Sequence, residues 1–191
     1  MRNQHRPRSR ARLLTAALGT TAVLSTTLLA TAPAAQAVVP AGYTCKGGYQ
    51  KITAANSGLA VEVSQASGNH GSVAQFWWND FVNQRWRACY ITGTDGKRIY
   101  RFIGWRDRCM AVDQRSLSSG AWVITDHCDD YNNAQEFLLL EVPGTNLFAL
   151  SPQHTQSSGR TWLGAEGNST APEAQIVQSN RAELFSMEQF G

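Results

Sequence analysis

Residues 83–86 read Asn83-Gln84-Arg85-Trp86, and the motif of an amide or acid, any residue and then a ring returns as Gln135-Glu136-Phe137 and Glu183-Leu184-Phe185. The rings recur at a period of about fifty residues, the mark of a repeat architecture in which no single copy can bury its own apolar face. About twenty-five residues ahead of each ring lies a matching run: GLAVEV at 58–63, RCMAVD at 108–113 and RTWLGA at 160–165. Three copies sharing one core is the expectation.

The intervening sequence supports strands and no long helix. Gly, Asn, Asp and Ser interrupt the chain every ten residues or so (NSG, SGNHG, GTDGK, SLSSG, PGTN, SSG), and between them stand short runs rich in Val, Ile, Phe, Tyr and Trp such as YQKIT, RIYRFIG and LFALS. Short strands separated by turn residues, with no sustained helical period, predict an all-β fold.

The first thirty-seven residues read differently. Arg2, Arg6, Arg8, Arg10 and Arg12 precede a Leu/Ala/Thr run from Leu13 to Ala30, and Ala35-Gln36-Ala37 forms a small-residue cleavage site. A positive front, an apolar middle and such a site predict a secretory signal peptide over 1–37 rather than a membrane anchor. The expected mature protein is a secreted, extracellular one that begins at Val38 and has no membrane span. Its charge balance follows. Of 17 Lys and Arg, five lie in the leader, leaving 12 against 14 Asp and Glu. No basic stripe remains to hold nucleic acid. All four cysteines, Cys45, Cys89, Cys109 and Cys128, lie in the exported part, where an even count argues for two disulfides among three connectivities.

Three copies ending in Q-x-W, with Phe for Trp in the second and third, resemble the ricin-B-type β-trefoil lectins, and the leader resembles a bacterial one. The likeness extends over Tyr49 to Phe190, and GAWVITDHCD at 120–129 follows the family's mid-copy pattern closely. It implies a β-trefoil over 49–191, with copies at about 49–92, 93–143 and 144–191 and a lead-in at 38–48. Cys109 and Cys128 fall at the family's half-cystine pair, which leaves Cys45 to Cys89. Ala60 and Asn79 hold the corresponding positions of the first copy at the same separation. The resemblance makes Trp86, Phe137 and Phe185 the buried rings of the pseudo-threefold core.

The same resemblance implies a sugar site. In the family an acid, an amide, a ring and an Asn converge; here they are Glu62, Gln75, Trp77 and Asn83, with Gln84 adjoining. The chemistry suits a pyranose, whose C–H face lies on a ring while its hydroxyls need both donors and acceptors. Glu62 is one methylene longer than the family's Asp. Gln75 and Trp77, two apart on an expected strand, should share a face, and Phe76 and Trp78 should pack on the other. The corresponding positions, Ala111, Ile124 and Asp126 in the second copy and Leu163, Ile176 and Gln178 in the third, carry no aromatic plate and are expected to be blind.

Other chemistries find little support. Asp129 to Glu141 has the acids of a calcium loop, but Gln135 stands where a sharp turn needs Gly. His70, His127 and His154 are isolated, with no metal-ligand spacing. NST at Asn168 reads as a turn. No nucleophile elbow or phosphate loop occurs. No cofactor, no metal and no enzymatic activity are expected. Two functions stay open: a secreted protein that binds carbohydrate, galactose-type or a polysaccharide, through the first copy; or a trefoil that has lost sugar binding and meets a protein partner, for instance as an inhibitor.

Overall fold

The computed structural model describes residues 39–64 and 71–190. The leader expected over 1–37, the first lead-in residue and His70 lie outside the described residues. Lead-in strand β1 (Thr44–Cys45) precedes three groups of four: β2 (Tyr49–Ala54), β3 (Ala60–Ser64), β4 (Gly71–Phe76) and β5 (Arg87–Thr92); β6 (Arg98–Gly104), β7 (Arg108–Val112), β8 (Val123–His127) and β9 (Phe137–Glu141); β10 (Leu147–Pro152), β11 (Trp162–Ala165), β12 (Ile176–Ser179) and β13 (Phe185–Phe190). Among the described residues the only helical pieces are 3-10 turns of three residues.

The outer strands of the three groups close a ring. Antiparallel pairing runs β13–β2, β5–β6, β6–β9, β9–β10 and β10–β13, and β2 meets the start of β5 at the Gln50–Trp86 bridge. The inner strands form three hairpins, β3–β4, β7–β8 and β11–β12. Ser72–Ile124, Ala74–Gln175 and Trp122–Val177 tie these hairpins into a triangular cap. A six-stranded barrel capped by three hairpins is a β-trefoil.

Register explains why three copies need one another. Val63 pairs with Val73, Val112 with Val123 and Ala165 with Ile176, and all six lie in one buried cluster with Trp86, Phe137 and Phe185. Each hairpin thus contributes the same pair to a core that no hairpin could enclose alone. The ring plugs are fully buried. Trp86 solves the problem of its indole by donating Nε1–H to the Val61 carbonyl at 2.9 Å. Space for the indole comes from Gly104, where a Cβ would stand 2.8 Å from Trp86 Cζ3.

Two disulfides, Cys45–Cys89 and Cys109–Cys128, are present. The first ties the lead-in to β5, closing a loop that spans most of the first group of strands. In the chain-entropy picture, removing such a long constraint from the unfolded chain is worth about 4 kcal/mol.

The acids read as a weak calcium signal serve a guanidinium instead. Arg101, with no exposed surface, donates to Asp130 Oδ1 at 3.2 Å and to Glu136 Oε1 at 3.0 Å, and Tyr43 Oη donates to the same Glu136 oxygen at 2.8 Å. A buried cation needs such partners, and this one fastens the lead-in to the second group of strands.

Candidate functional site

The turn after β4 gathers most of the expected site. Glu62 is on β3, and the 3-10 turn Val82–Gln84 carries Asn83 and Gln84 toward it. Asn83 Nδ2 lies 3.4 Å from Glu62 Oε2 and donates to the Val63 carbonyl at 3.1 Å, while Gln84 Nε2 donates to Glu62 Oε2 at 3.1 Å. The longer acid is therefore used in full, because its extra methylene reaches both amides. Gln84 is buried, and its remaining bonds run to the Trp77 carbonyl at 2.8 Å and from the Asn79 N–H at 3.0 Å. It is a brace that holds the backbone under Trp77. The Trp77 ring itself is 62% exposed.

Burial raises the Glu62 pKa above the ordinary carboxylate value; the Gln84 and Asn83 hydrogen bonds oppose that shift and the Glu173 charge adds to it. The carboxylate is thus half-buried, oriented by two amides and left with lone pairs for a hydroxyl donor.

Gln75 does not join this group. It has no exposed surface; Nε2 donates to the Ser169 and Ala171 carbonyls at 2.7 and 2.9 Å, and Oε1 accepts from Ser57 Oγ at 2.8 Å. Nor do Gln75 and Trp77 present one solvent face: β4 ends at Phe76, and Gln75 is sealed while Trp77 is exposed. Gln178 plays the matching part in the third group, donating to the Ser116 and Ser118 carbonyls at 3.0 Å each. Both amides clip a hairpin to the loop of a neighbouring one. Gln75→Ala is accordingly expected to cost about 1–3 kcal/mol in chemical denaturation, through two orphaned carbonyls, while leaving ligand affinity unchanged.

The core pairs also correct the alignment of the copies. With Val73, Val123 and Ile176 equivalent, Gln75 corresponds to Thr125 and Gln178 rather than to Ile124 and Ile176, and Trp77 corresponds to His127 and Asn180 rather than to Asp126 and Gln178. Likewise Gly164, not Leu163, is the third copy's equivalent of Glu62; Leu163 is core. Spacing alone missed this because the hairpin loops differ in length.

The expected packing role of Trp78 is only partly observed. Its ring meets Phe190 edge-on at 5.0 Å and lies under Lys51 Nζ, yet 37% of the residue is exposed. Phe81 and Val82 are also exposed. The second copy, read as blind, borders a cleft of about 590 Å³ lined by Trp122, Asp113, Asp126, Asn132 and Arg115. Trp122 is an exposed ring in that lining. The signal was present in the sequence: Trp122, Ile124 and Asp126 alternate outward between the buried Val123 and Thr125.

No protein-family model matches the sequence, and no curated protein matches it. Solved structures do resemble the fold. A designed threefold-symmetric protein, ThreeFoil, is 24% identical with a TM-score of 0.65, covering 75% of this chain and 99% of that one. The Macrolepiota procera ricin B-like lectin, solved with lactose, is 14% identical with a TM-score of 0.57 over 77% and 99% of the two chains. An exo-β-1,3-galactanase from Clostridium thermocellum is 16% identical with a TM-score of 0.64, covering 76% of this chain but 31% of the galactanase. At these identities the likeness establishes the architecture, the β-trefoil.

Proposed function

We propose that this protein is a secreted, non-catalytic carbohydrate-binding module with a site at Glu62, Asn83 and Trp77, braced by Gln84. The observation that carries the reading is the convergence of two side-chain amides on one half-buried carboxylate, one of them, Gln84, also holding the carbonyl of an exposed Trp77. A core has no use for that arrangement. A pyranose does: the Glu62 carboxylate and the Asn83 Oδ1 accept from its hydroxyls, both Nδ2 hydrogens of Asn83 being given to Glu62 and Val63, and the indole covers the C–H face. Resemblance in fold to lectins solved with lactose or with the asialo-GM1 saccharide makes galactose-terminated glycans the first class to try. One pocket with few polar contacts suggests a dissociation constant on the order of millimolar for a monosaccharide. Two disulfides suit the oxidising exterior that the leader at 1–37 addresses, and no helix among the described residues is long and apolar enough to cross a membrane.

A glycan array probed with the folded protein tests this reading, with Asn83→Ala as the control that should lose signal. If no glycan binds the folded wild type, the alternative takes over: a protein partner docking on the exposed rings at 77, 78 and 81.

The raised pKa of Glu62 gives a second check. Binding needs the ionised acid, so affinity should decline as pH falls through the Glu62 pKa, at a higher pH than an ordinary carboxylate would produce. The stability term has the opposite sense: a pKa raised by folding contributes stability that is present below the unfolded value and lost as pH rises through the folded one. Glu62→Gln should flatten the binding profile. Wild-type affinity that stays constant across the acid range would count against Glu62 as a ligand.

A further inference from the structure

We propose that the site takes a chain of sugars, with a second unit held in the adjoining cleft between Phe81, Val82 and Trp105. This rests on the glycan-site reading above and extends it to the class of ligand, an oligosaccharide rather than a terminal monosaccharide. The link is Asn83. Its amide faces Glu62, and the same residue lines a neighbouring cleft of about 430 Å³ with Asp80, Phe81, Val82 and Trp105. The two sites therefore share a wall, as consecutive units of one chain require.

The cleft is built to hold apolar side chains in water. Phe81 is 62% exposed and Val82 57%. Their loop is braced: Arg85 donates to Asp80 Oδ1 and to the Asp80 carbonyl, both at 3.2 Å, and the Phe81 N–H donates to Asn79 Oδ1 at 3.3 Å. Asp80 adopts a left-handed backbone (φ 60°), which Asp tolerates better than most non-glycine residues, and the two Arg85 hydrogen bonds hold it there. So the exposure of Phe81 is imposed by a fixed loop and is not the sampling of a loose one. A large ring presented this way gains no packing in the free protein.

Trp105, from the turn after β6, forms the opposite wall, and Arg106 stacks over its ring at 4.2 Å, fixing it in place. Between two aromatic walls, with Asp80 and Asn83 also lining the cleft, a pyranose meets apolar surface for its C–H faces and polar residues for its hydroxyls. The wall from the second copy explains why no single-copy motif contains this subsite.

Titration calorimetry with galactose, glucose and xylose and their β-linked oligomers of two to four units decides the matter. For whichever series binds, wild-type affinity should rise roughly tenfold from one unit to two. Phe81→Ala and Trp105→Ala should reduce that gain to less than about twofold while leaving monosaccharide affinity unchanged. Phe81→Ala is the safer variant, since its exposed ring contributes little to folding. A gain that survives both substitutions, or a wild type indifferent to chain length, overturns the proposal while leaving the monosaccharide site standing if Asn83→Ala still abolishes binding. Absence of binding by every saccharide to the folded wild type overturns both readings.

Discussion

Trp86→Ala should cost roughly 3–5 kcal/mol of stability, the range for truncating a fully buried aromatic side chain, and is the most damaging single truncation expected in the first copy. The ring has no exposed surface and belongs to the shared core cluster with Phe102, Phe137 and the hairpin valines, so truncation would leave a cavity among side chains held by strand pairing. Trp86→Phe separates the two parts of that cost. It retains the plug used by the other copies but leaves the Val61 carbonyl without its indole donor and a gap beside Gly104, so about 1–3 kcal/mol should be lost. Chemical denaturation monitored by circular dichroism gives both values. A Trp86→Ala protein within about 1 kcal/mol of wild type would show that the ring is not a core plug.

Trp77→Ala should do the reverse. Glycan binding should be lost if, as proposed, the indole is the stacking surface, while the melting temperature stays within a few degrees. The structural reason is specific. What the fold takes from residue 77 is its carbonyl, which accepts from Gln84 Nε2 at 2.8 Å, and alanine supplies that carbonyl equally well. Gln84→Ala, in contrast, should reduce stability and binding together, since that amide holds both Glu62 and the backbone under the ring. Trp77→Ala binding the array as tightly as wild type would remove the ring from the site.

Read together, these two substitutions divide the aromatic stretch at 76–86 into rings that fold the protein and rings that face outward. Trp86 is fully buried; Trp77 and Phe81 are mostly exposed; Trp78 lies between, against Phe190. Composition could not make this division, because all are large apolar residues within one short segment.

The sequence by itself determined the architecture and the core. Turn residues at short intervals, strand-like runs and three rings at a near-constant period leave few alternatives to a threefold β arrangement, since each copy's apolar face needs the other two. Glu62, Asn83 and Gln84 were marked as candidates by the resemblance to the ricin-B-type lectins, not by composition or spacing. Only the tertiary structure decided the rest. Gln75 is sealed by carbonyls from residues 169 and 171, Trp105 arrives beside Phe81 from the next group of strands, and Trp122 opens a cleft in a copy whose motif positions lack a ring. The physical reason is common to all three. Periodicity along a strand reports which side of that strand a residue takes, whereas whether that side meets solvent, a ligand or another loop depends on segments distant in sequence.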